Sequence, residues 1–473
     1  MPGLNLSDSE IAGGGELLTA FLRELEQSPA TRPVFPKLDR PALSKLLEQP
    51  FPEDGIGIDR LFQEIASEVV PNSTAIAHPR FLAYVLPPPN GIAPFAEAIA
   101  AALNQNCNFW QLSPAASVIE RSVLAWLAGL FGFPESAGGI LTSGGSMATL
   151  IALATALRDR GREDFERQGL QGQASPLVVY ASAEAHRSVE KAAVILGIGL
   201  DHVRKIAVDG QFRMRVDLLA EAVREDRESG RTPFCVVATA GTVNTGAIDP
   251  IDALADFCGR ESLWLHVDGA YGALYVLSGE IRPQLLPCAR ADSMAIDPHK
   301  LLFAPLEAGC ILVRDRENLR RAFRYAASYL TVEEDPLLTN FLDYGPQLSR
   351  NFKAFKIWCA LRVFGVRAFV EAVEHTLEIA RYMAQRVEAD QYLELLAPVT
   401  LSAVCFRVRH ADNRRILARL VEEGTAILGP VGIRGTLGIR ACVANYRTGR
   451  ADVDLILDRL RALSSLPLGT TAT

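Results

Sequence analysis

A lysine that could act as a nucleophile lies at position 300, at the end of the segment 296–300, which reads IDPHK. The residues on both sides of this segment are mostly apolar, so the lysine side chain could be partly removed from water. Loss of hydration favours the neutral amine, which can attack a carbonyl group and form an imine. A single lysine after a strand is usually a solvated surface charge, so the assignment of Lys300 depends on its neighbours in space.

A carboxylate that could support such chemistry is Asp268, in the segment 265–271, which reads LHVDGAY. An acidic residue at the carboxyl end of an apolar strand points towards the crevice in which α/β sheets bind ligands. Near a lysine-bound cofactor, a buried carboxylate can keep a pyridinium nitrogen protonated, so that the ring accepts electrons. The alternative is that Asp268 caps the following turn.

The segment 141–147, which reads LTSGGSM, could bind an anion. A strand-like run leads into it, and a helix is predicted after it over residues 148–158. Glycines let backbone N–H groups approach a phosphate, and the helix N-terminus adds a favourable dipole. The segment matches neither the dinucleotide-binding motif nor the ATP-binding loop, so a monophosphate fits better. A plain strand–helix turn with a serine cap is the alternative.

Two further segments offer a flat ring and hydrogen-bond donors. His186 lies at a predicted strand–helix junction, where its imidazole could stack on a cofactor ring or could simply cap the helix. The segment 238–246, which reads ATAGTVNTG, supplies hydroxyl and amide groups beside an apolar strand. All these features follow successive strands, in the order phosphate loop, ring, donor segment, aspartate and lysine.

These residues require a sheet that brings the ends of its strands together. Short apolar strands alternate with helical segments, which predicts a mainly parallel sheet covered on both faces. Ahead of them, Ser113 is predicted to cap a helix that opens with Pro114 and ends at Gly132. The strands are predicted at 177–180, 203–208, 234–239, 264–267, 293–296 and 310–313, with helices at 186–196, from 217 and at 251–258.

The chain is predicted to have three parts. Residues 1–90 are rich in proline and should form an irregular arm with short helices, which wraps a neighbouring domain or a second subunit. Residues 91–355 form a large α/β domain, and residues 356–473 form a small α+β domain. Within the small domain, strands are predicted at 403–408, 426–428 and 437–443, and helices at 413–423 and 451–463.

Composition limits the classes of protein that remain. The chain has 473 residues, a net charge of -7 and interspersed acidic and basic residues, which argues against a nucleic-acid binder. The eight cysteines include no Cys-x-x-Cys pair, so we expect buried, reduced thiols and no metal site. The sequence shows no signal-peptide pattern and no uncharged apolar run of about 18–20 residues. A soluble, cytoplasmic protein without membrane partners is predicted.

Several segments resemble the group II pyridoxal 5'-phosphate (PLP)-dependent amino acid decarboxylases, of which aromatic-L-amino-acid decarboxylase is the familiar member. The resemblance extends from about residue 78 into the C-terminal domain. It implies a fold-type I, transferase-like α/β structure with a mainly parallel seven-stranded sheet covered by helices, an N-terminal arm and a small α+β C-terminal domain. It also implies a PLP cofactor and a homodimer with its active site at the subunit interface. The matching segments are 78–81, 186–192, 237–242, 266–271 and 298–300.

The same resemblance implies roles for individual residues. Lys300 would form the internal aldimine, Asp268 would pair with the pyridinium nitrogen, and His186 would stack on the ring. The other implied cofactor contacts are Gly145, Ser146 and His299 near the phosphate, Thr242, Asn244 and Ala270 along the cofactor, and Asp297, where some relatives carry Asn.

The implied reaction converts an L-amino acid to its amine and CO2 through an aldimine of Lys300 and a quinonoid intermediate. Tyr329 aligns with a loop tyrosine of the family, in the segment 325–347, whose composition indicates an exposed lid. A phenol there can give a proton to the carbanionic Cα, whereas the related aldehyde synthases carry Phe. A plain surface connection, with Tyr329 resting on Leu330, is the alternative for this segment.

The substrate is predicted to be an aromatic amino acid that contacts Tyr84, Pro87 and Ser349. The segment 81–84, which reads FLAY, resembles the aromatic branch of the family. In plant relatives, serine at the position of Ser349 goes with phenolic substrates.

Other sequence features leave alternatives open. Asn106, Asn108 and the prolines at 87–89 depart from the pattern of the aromatic branch. An aliphatic, acidic or small polar amino acid is therefore the second candidate substrate, and an aldehyde synthase is a second enzyme class. A non-catalytic scaffold is a third class, but it would have no need of the lysine, the aspartate and the histidine together.

Overall fold

The computed structural model describes residues 4–27, 29–160, 165–172, 174–325 and 337–464. It divides into two compact units. The large unit comprises residues 89–384 and 397–405, and the small unit comprises residues 1–88, 385–396 and 406–473. The division into three domains at residues 90 and 355 stays a prediction.

The secondary structure alternates between strands and helices through most of the large unit. The strands are β1 (Gly138–Thr142), β2 (Leu177–Ser182), β3 (Val203–Ile206), β4 (Thr232–Thr239), β5 (Trp264–Asp268), β6 (Ser293–Ile296), β7 (Gly309–Val313), β8 (Leu393–Leu395), β9 (Ala403–Val408), β10 (Gly429–Ile433) and β11 (Thr436–Cys442). The helices are α1 (Asp8–Gln27), α2 (Arg40–Leu47), α3 (Ile58–Glu64), α4 (Ala93–Leu103), α5 (Pro114–Phe131), α6 (Gly145–Arg160), α7 (Phe165–Gln168), α8 (Ser188–Ile195), α9 (Val216–Glu228), α10 (Ile251–Glu261), α11 (Arg282–Leu285), α12 (Pro298–Leu301), α13 (Glu317–Phe323), α14 (Lys353–Glu388), α15 (Asn413–Glu422) and α16 (Arg450–Ser464).

A seven-stranded sheet forms the centre of the large unit, in the order β1-β7-β6-β5-β4-β2-β3. Neighbouring strands from β6 to β3 are parallel, whereas β7 is antiparallel to both β6 and β1. Since β7 is antiparallel to both of its neighbours, β1 runs in the same direction as β6, β5, β4 and β2. The carboxyl ends of these five strands therefore lie along one edge of the sheet. This confirms the predicted mainly parallel α/β fold.

The sheet is buried because its strands are apolar along their whole length. Every residue of β2, β5, β6 and β7 is buried, as expected for strands covered on both faces. Leu153 of α6 and Val189 of α8 pack with Val179, Val237 and Trp264 of the strands in one core cluster. This packing fixes α6, whose first residue directly follows the loop after β1.

Helix α5 begins and ends where the sequence predicts, but its cap is different. Pro114 is the first helical residue, and Gly132 ends the helix with a φ of 80°. The prediction that the Ser113 side chain caps the helix is wrong, because its hydroxyl donates instead to the backbone oxygens of Asn106 and Phe109. Among the described helices, α5 alone is long and apolar enough to cross a membrane. One face of α5, including Glu120, is nevertheless buried within the protein.

Two other predictions of local structure are corrected. Helix α1 spans 20 residues, so the expectation of only short helices in the arm is wrong there. The prolines that break the arm begin after this helix, at position 29. The strand predicted at 426–428 lies instead at β10, because Ile427 makes only an isolated bridge with Phe81.

The small unit contains a four-stranded sheet in the order β10-β11-β9-β8. β9 begins in the large unit and continues into this sheet, where it pairs antiparallel with β8. Leu82 of the arm lies beside this sheet, since its N–H donates to Ile427 and its oxygen accepts from Cys442. The arm segment around Leu82 is thus part of the small unit.

All eight cysteines lie in the described residues, and none forms a disulfide. Seven are buried and Cys359 is partly exposed, which confirms the expectation of buried thiols. Among the described residues, no group of three or more His, Cys, Asp or Glu side chains is placed to hold a metal ion.

Candidate active site

Six strands end at one edge of the sheet, and the loops after five of them carry the candidate residues. In register, Thr239 at the end of β4 lies beside Asp268 of β5, which in turn lies beside Ala295 of β6. The crevice beyond such an edge is where α/β proteins bind ligands. The loops comprise residues 143–144 after β1, 183–187 after β2, 240–250 after β4, 269–272 after β5 and the Asp297 turn with α12 after β6.

Lys300 lies on the one-turn helix α12, directly after β6. Its Nζ is 2.9 Å from Oδ2 of Asp297, and its backbone N–H donates to the Asp297 oxygen. The side chain of Lys300 is 20% exposed. The amine is therefore partly buried and held by a carboxylate, while still open to a reactant.

Asp297 has one carboxylate oxygen that the described residues leave unpaired. Oδ2 faces Lys300 and lies 3.5 Å from Nε2 of His299, whereas Oδ1 is buried without a hydrogen-bond donor. A buried acceptor without a donor is costly, so a group from outside the chain would complete this position.

Asp268 is buried at the end of β5, 7% exposed. Its Oδ1 accepts a hydrogen bond of 3.2 Å from the N–H of Ala270. Burial raises the pKa of Asp268, whereas the charges of Lys300 and His186 act on it in the opposite direction. Lys300 and His186 thus both favour the ionised form of this carboxylate. A cationic ring nitrogen would further favour the ionised carboxylate.

Glycines form a close-packed cradle at the start of α6. A Cβ at Gly145 would lie 2.7 Å from the Cβ of Ala270 and 3.2 Å from Oδ2 of Asp297. A Cβ at Gly309 would lie 2.3 Å from the Cα of Gly144. Only glycine fits at these positions, and the resulting space at a helix N-terminus suits a phosphate. Ser146 follows in the first turn of α6 and is exposed.

His299 lies beside this cradle and is 8% exposed. A Cβ at Gly144 would be 3.3 Å from Cε1 of the His299 ring. Burial lowers the pKa of His299, which favours its neutral ring. Its Nδ1 accepts from the N–H of Ala308 at 3.3 Å, which leaves Nε2 as the nitrogen that carries a proton.

The loop after β4 carries its predicted residues in two environments. Thr242 is buried, and its hydroxyl is 2.9 Å from that of Thr245 and accepts from the N–H of Ala247. Asn244 is partly exposed and donates from Nδ2 to Oε2 of Glu184 at 3.3 Å. Glu184 lies in the loop that carries the exposed His186. The two loops are therefore linked by a side-chain hydrogen bond.

Sequence reasoning missed Asp249, which supports the loop after β4. Its Oδ1 accepts from the N–H of Met214 at 2.6 Å, and its Oδ2 accepts from the N–H of Thr239 at 2.8 Å. Burial raises the pKa of Asp249 to about 6. An acidic residue between Ile248 and Pro250, within an apolar run, was the signal that could have revealed it.

The predicted substrate contacts are not all in one unit. Ser349 is exposed and belongs to the large unit. Tyr84 and Pro87 belong to the small unit, where Tyr84 is 67% exposed with a φ of 61° and Pro87 is buried. Tyr329 lies outside the described residues.

An amine beside a carboxylate, a buried aspartate and closely packed glycines at a helix N-terminus lie at one edge of an α/β sheet, an arrangement that suits a PLP-dependent enzyme. The buried Asp297 oxygen and the cradle at Gly145 fit such a cofactor. The model of the pyridoxal-dependent decarboxylase conserved domain matches residues 41–409, and the chain belongs to this family.

Several proteins similar to this chain are named as amino acid decarboxylases. An aromatic-L-amino-acid decarboxylase of Bacillus atrophaeus is 34% identical over 92% of this chain and 91% of the relative. An L-2,4-diaminobutyrate decarboxylase of Rhizobium meliloti is 32% identical over 96% of this chain and 92% of the relative. The solved structure of Oryza sativa TDC with PLP and tryptamine is similar with a TM-score of 0.89 and 27% identity, over 98% of this chain and 100% of that chain.

The protein is therefore a PLP-dependent amino acid decarboxylase with a fold-type I structure. Relatives named histidine decarboxylase and acidic amino acid decarboxylase are each 31% identical to it. The family is confirmed, but these relatives do not single out the aromatic branch.

Proposed function

We propose that the enzyme converts an aromatic L-amino acid to the corresponding amine and CO2. The observation that carries this proposal is the 34% identity to an aromatic-L-amino-acid decarboxylase over 92% of the chain. The FLAY segment that ends at Tyr84 and the serine at position 349 support it. Tyr84, Pro87 and Ser349 are the proposed substrate contacts.

We propose that Lys300, Asp268 and His186 act on the cofactor ring. PLP, when bound, supplies an electron sink for the carbanion that remains after CO2 leaves. When PLP is bound, Lys300 would hold it through its amine, Asp268 would keep the ring nitrogen protonated through its charge, and His186 would lie against the ring.

The phosphate is held by the loop after β1 and by α12 in this proposal. Gly145 allows close approach of backbone N–H groups, the Ser146 hydroxyl donates from the first turn of α6, and His299 donates from Nε2. The remaining proposed contacts are Thr242, Asn244 and Ala270 along the cofactor and Asp297 beside Lys300.

A substrate panel tests the proposed specificity. The enzyme is incubated with the twenty standard amino acids and L-2,4-diaminobutyrate, and amine products are identified by mass spectrometry. The proposal requires that an aromatic amine form fastest. Fastest formation of another amine would overturn the aromatic assignment while leaving the decarboxylase class intact.

A small polar amino acid is the second candidate substrate. Asn106 and Asn108 occur where aromatic-specific relatives carry larger or more apolar groups, and a diaminobutyrate decarboxylase is 32% identical to the chain. Formation of 1,3-diaminopropane in the same panel would support this candidate.

Tyr329 is proposed to deliver the proton that completes the amine. A phenol can donate to the carbanionic carbon, whereas a phenyl ring cannot. Tyr329→Phe should therefore retain cofactor binding but divert product from amine towards aldehyde, ammonia and peroxide, with oxygen uptake. Unchanged amine formation without oxygen uptake would exclude this role and the aldehyde-synthase distinction that rests on it.

We propose a cytoplasmic homodimer in which the N-terminal arm contributes to the subunit interface. Helix α1 has no buried residue and exposes Ile11, Leu18 and Leu25. Burying such side chains against a second subunit is favourable. Light scattering of the full chain should give twice the 51.4 kDa subunit mass, and a monomer would contradict the proposal.

A further inference from the structure

A buried ion pair joins α5 to the segment that precedes α14. Arg350 donates from Nη2 to Oε1 of Glu120, and the two side chains are 3% and 1% exposed. The residues are 230 positions apart in the sequence. Neither residue belongs to a sequence motif described above, and neither is placed among the cofactor contacts.

Both members of the pair bind the backbone of Leu141 in β1. Oε1 of Glu120 accepts from the Leu141 N–H at 3.0 Å, and Nη2 of Arg350 donates to the Leu141 oxygen at 3.2 Å. β1 is an edge strand of the sheet. The ion pair therefore satisfies backbone groups that a further strand would otherwise bind. Three residues after Leu141 comes Gly144, in the glycine cradle.

Arg350 also binds the segment that carries Asn106 and Asn108. Its Nη1 donates to the Cys107 oxygen at 2.6 Å, and its own backbone oxygen accepts from the Cys107 N–H at 2.8 Å. The Arg350 N–H donates to Oδ1 of Asn106 at 3.0 Å. Because Ser349 directly precedes Arg350, these bonds also fix the backbone at Ser349.

The segment that leads to Arg350 is held against the same region. The Ser117 hydroxyl of α5 donates to the Thr339 oxygen, and the N–H of Thr339 donates to the Ser117 hydroxyl. The N–H of Leu342 donates to the Asn108 oxygen at 3.2 Å. These contacts anchor the chain at Thr339 and Leu342, ahead of Arg350.

We propose that Glu120 and Arg350 are positioning residues that couple the cofactor-phosphate cradle to the substrate side of the active site. The pair holds β1, the Asn106 segment and the Ser349 backbone in one arrangement, so displacement of any one displaces the others. This inference rests on the proposed cofactor and substrate contacts, and it assigns them a common support.

The chemistry of the pair favours positioning over simple stabilisation. A buried ion pair can often be replaced by apolar residues of similar volume without loss of stability. The planar guanidinium of Arg350, however, reaches the Glu120 carboxylate and two backbone oxygens at once, which an apolar side chain or a lysine cannot do. The pair therefore fixes the relative positions of three acceptors: the Glu120 carboxylate, the Leu141 oxygen and the Cys107 oxygen.

The test separates stability from positioning. The double variant Glu120→Leu/Arg350→Met leaves no lone buried charge, but its unfolding temperature should fall because backbone groups of Leu141 and Cys107 lose their partners. The affinity of the cofactor-free protein for PLP should fall roughly tenfold and KM should rise roughly tenfold, because the loops lose their common support. Wild-type PLP affinity and KM in a double variant that has lost stability would overturn the proposal.

Arg350→Lys keeps the charge beside Glu120 and provides a second test if the double variant does not fold. The Arg350→Lys variant should remain folded, but its PLP affinity should fall by about tenfold. A single ammonium group cannot reach all the acceptors that the planar guanidinium reaches. Wild-type PLP affinity in this variant would equally overturn the proposal.

Asp226→Asn is the matched control. Asp226 is fully buried and ion-paired with Arg204 and Arg231, away from the loops of the active site. It should lower the unfolding temperature without changing PLP affinity or KM. PLP affinity is measured without substrate, so an error in the proposed substrate would appear in the amino acid panel and not in this test.

Discussion

Asp268 is buried, and burial disfavours the charged form of its carboxylate. Removal from water raises its pKa, and only the nearby charges of Lys300 and His186 and the N–H of Ala270 act in the opposite direction. Such a carboxylate has a strong electrostatic effect on a ring nitrogen, because little water screens it. Asp268 is thus suited to place a negative charge beside the ring nitrogen of the proposed cofactor.

Asp268→Asn should reduce turnover by roughly 10²–10³-fold, because it removes a preorganised charge while keeping the side-chain shape. Steady-state kinetics and PLP absorbance give the measurement. Asp292→Asn is the control, since Asp292 is a partly buried acceptor that binds the Leu265 N–H at the opposite end of β5. A loss below about threefold at Asp268 would indicate a turn cap only.

His266 makes stability depend on pH. It is fully buried, its Nδ1 is 2.9 Å from the Ser293 hydroxyl, and its Nε2 has no partner among the described residues. Burial lowers its pKa from 6.5 to about 4. The neutral ring is favoured in the folded state, so its contribution is present above pH 6.5 and is lost as pH falls towards 4.

His266→Asn should therefore flatten the pH dependence of unfolding. For the wild type, the His266 contribution should make the free energy of unfolding about 2 kcal/mol lower at pH 5 than at pH 8. Urea unfolding at both pH values measures this. His410→Asn, at an exposed position, should leave the slope unchanged. An unchanged slope in His266→Asn would mean that this ring is not the titrating group.

At the scale of elements, the loops after parallel strands carry the candidate site residues, and the glycines form the proposed phosphate cradle. The sequence order of the loops could be predicted because each follows a short apolar strand. The start of α6 could not, since it lies three residues before the predicted helix. Gly144 accepts hydrogen bonds from the N–H groups of Met147 and Ala148, so the glycines themselves form the first helical turn.

Gly145→Ala should weaken PLP binding by about tenfold or more, because the new methyl group would meet Ala270 and Asp297. Titration of the cofactor-free protein with PLP measures the effect. Gly259→Ala in α10 is the control, since a Cβ there meets nothing within 4 Å. Equal PLP affinity in both variants would contradict the proposal that Gly145 forms part of the phosphate site.

The position of β10 shows why another element was predicted wrongly. Pro430 and the glycines of its strand argue against a strand when sequence is considered alone. β10 is at the edge of its sheet, and Pro430 is exposed there, where a missing N–H costs little. Edge position depends on pairing with β11, which local sequence does not reveal.

At the scale of the whole molecule, pairing between distant strands decides which residues meet. The antiparallel β7 lies between β1 and β6, so the loop after β1 reaches the same sheet edge as Lys300. The candidate residues were predictable because their types are distinctive. The pairing of Glu120 with Arg350 was not, because it joins two isolated charges across 230 positions.

Lys300 is proposed to bond covalently to the cofactor. Borohydride reduction of the PLP-loaded enzyme, followed by peptide mass spectrometry, tests this bond directly. We expect a phosphopyridoxyl group on Lys300 and no labelled peptide in Lys300→Ala, which should still fold because a strand-end side chain contributes little to the core. Lys353 and Lys356 are also buried and serve as internal controls. A label on either of them, with Lys300 unmodified, would contradict the proposed bond between Lys300 and the cofactor.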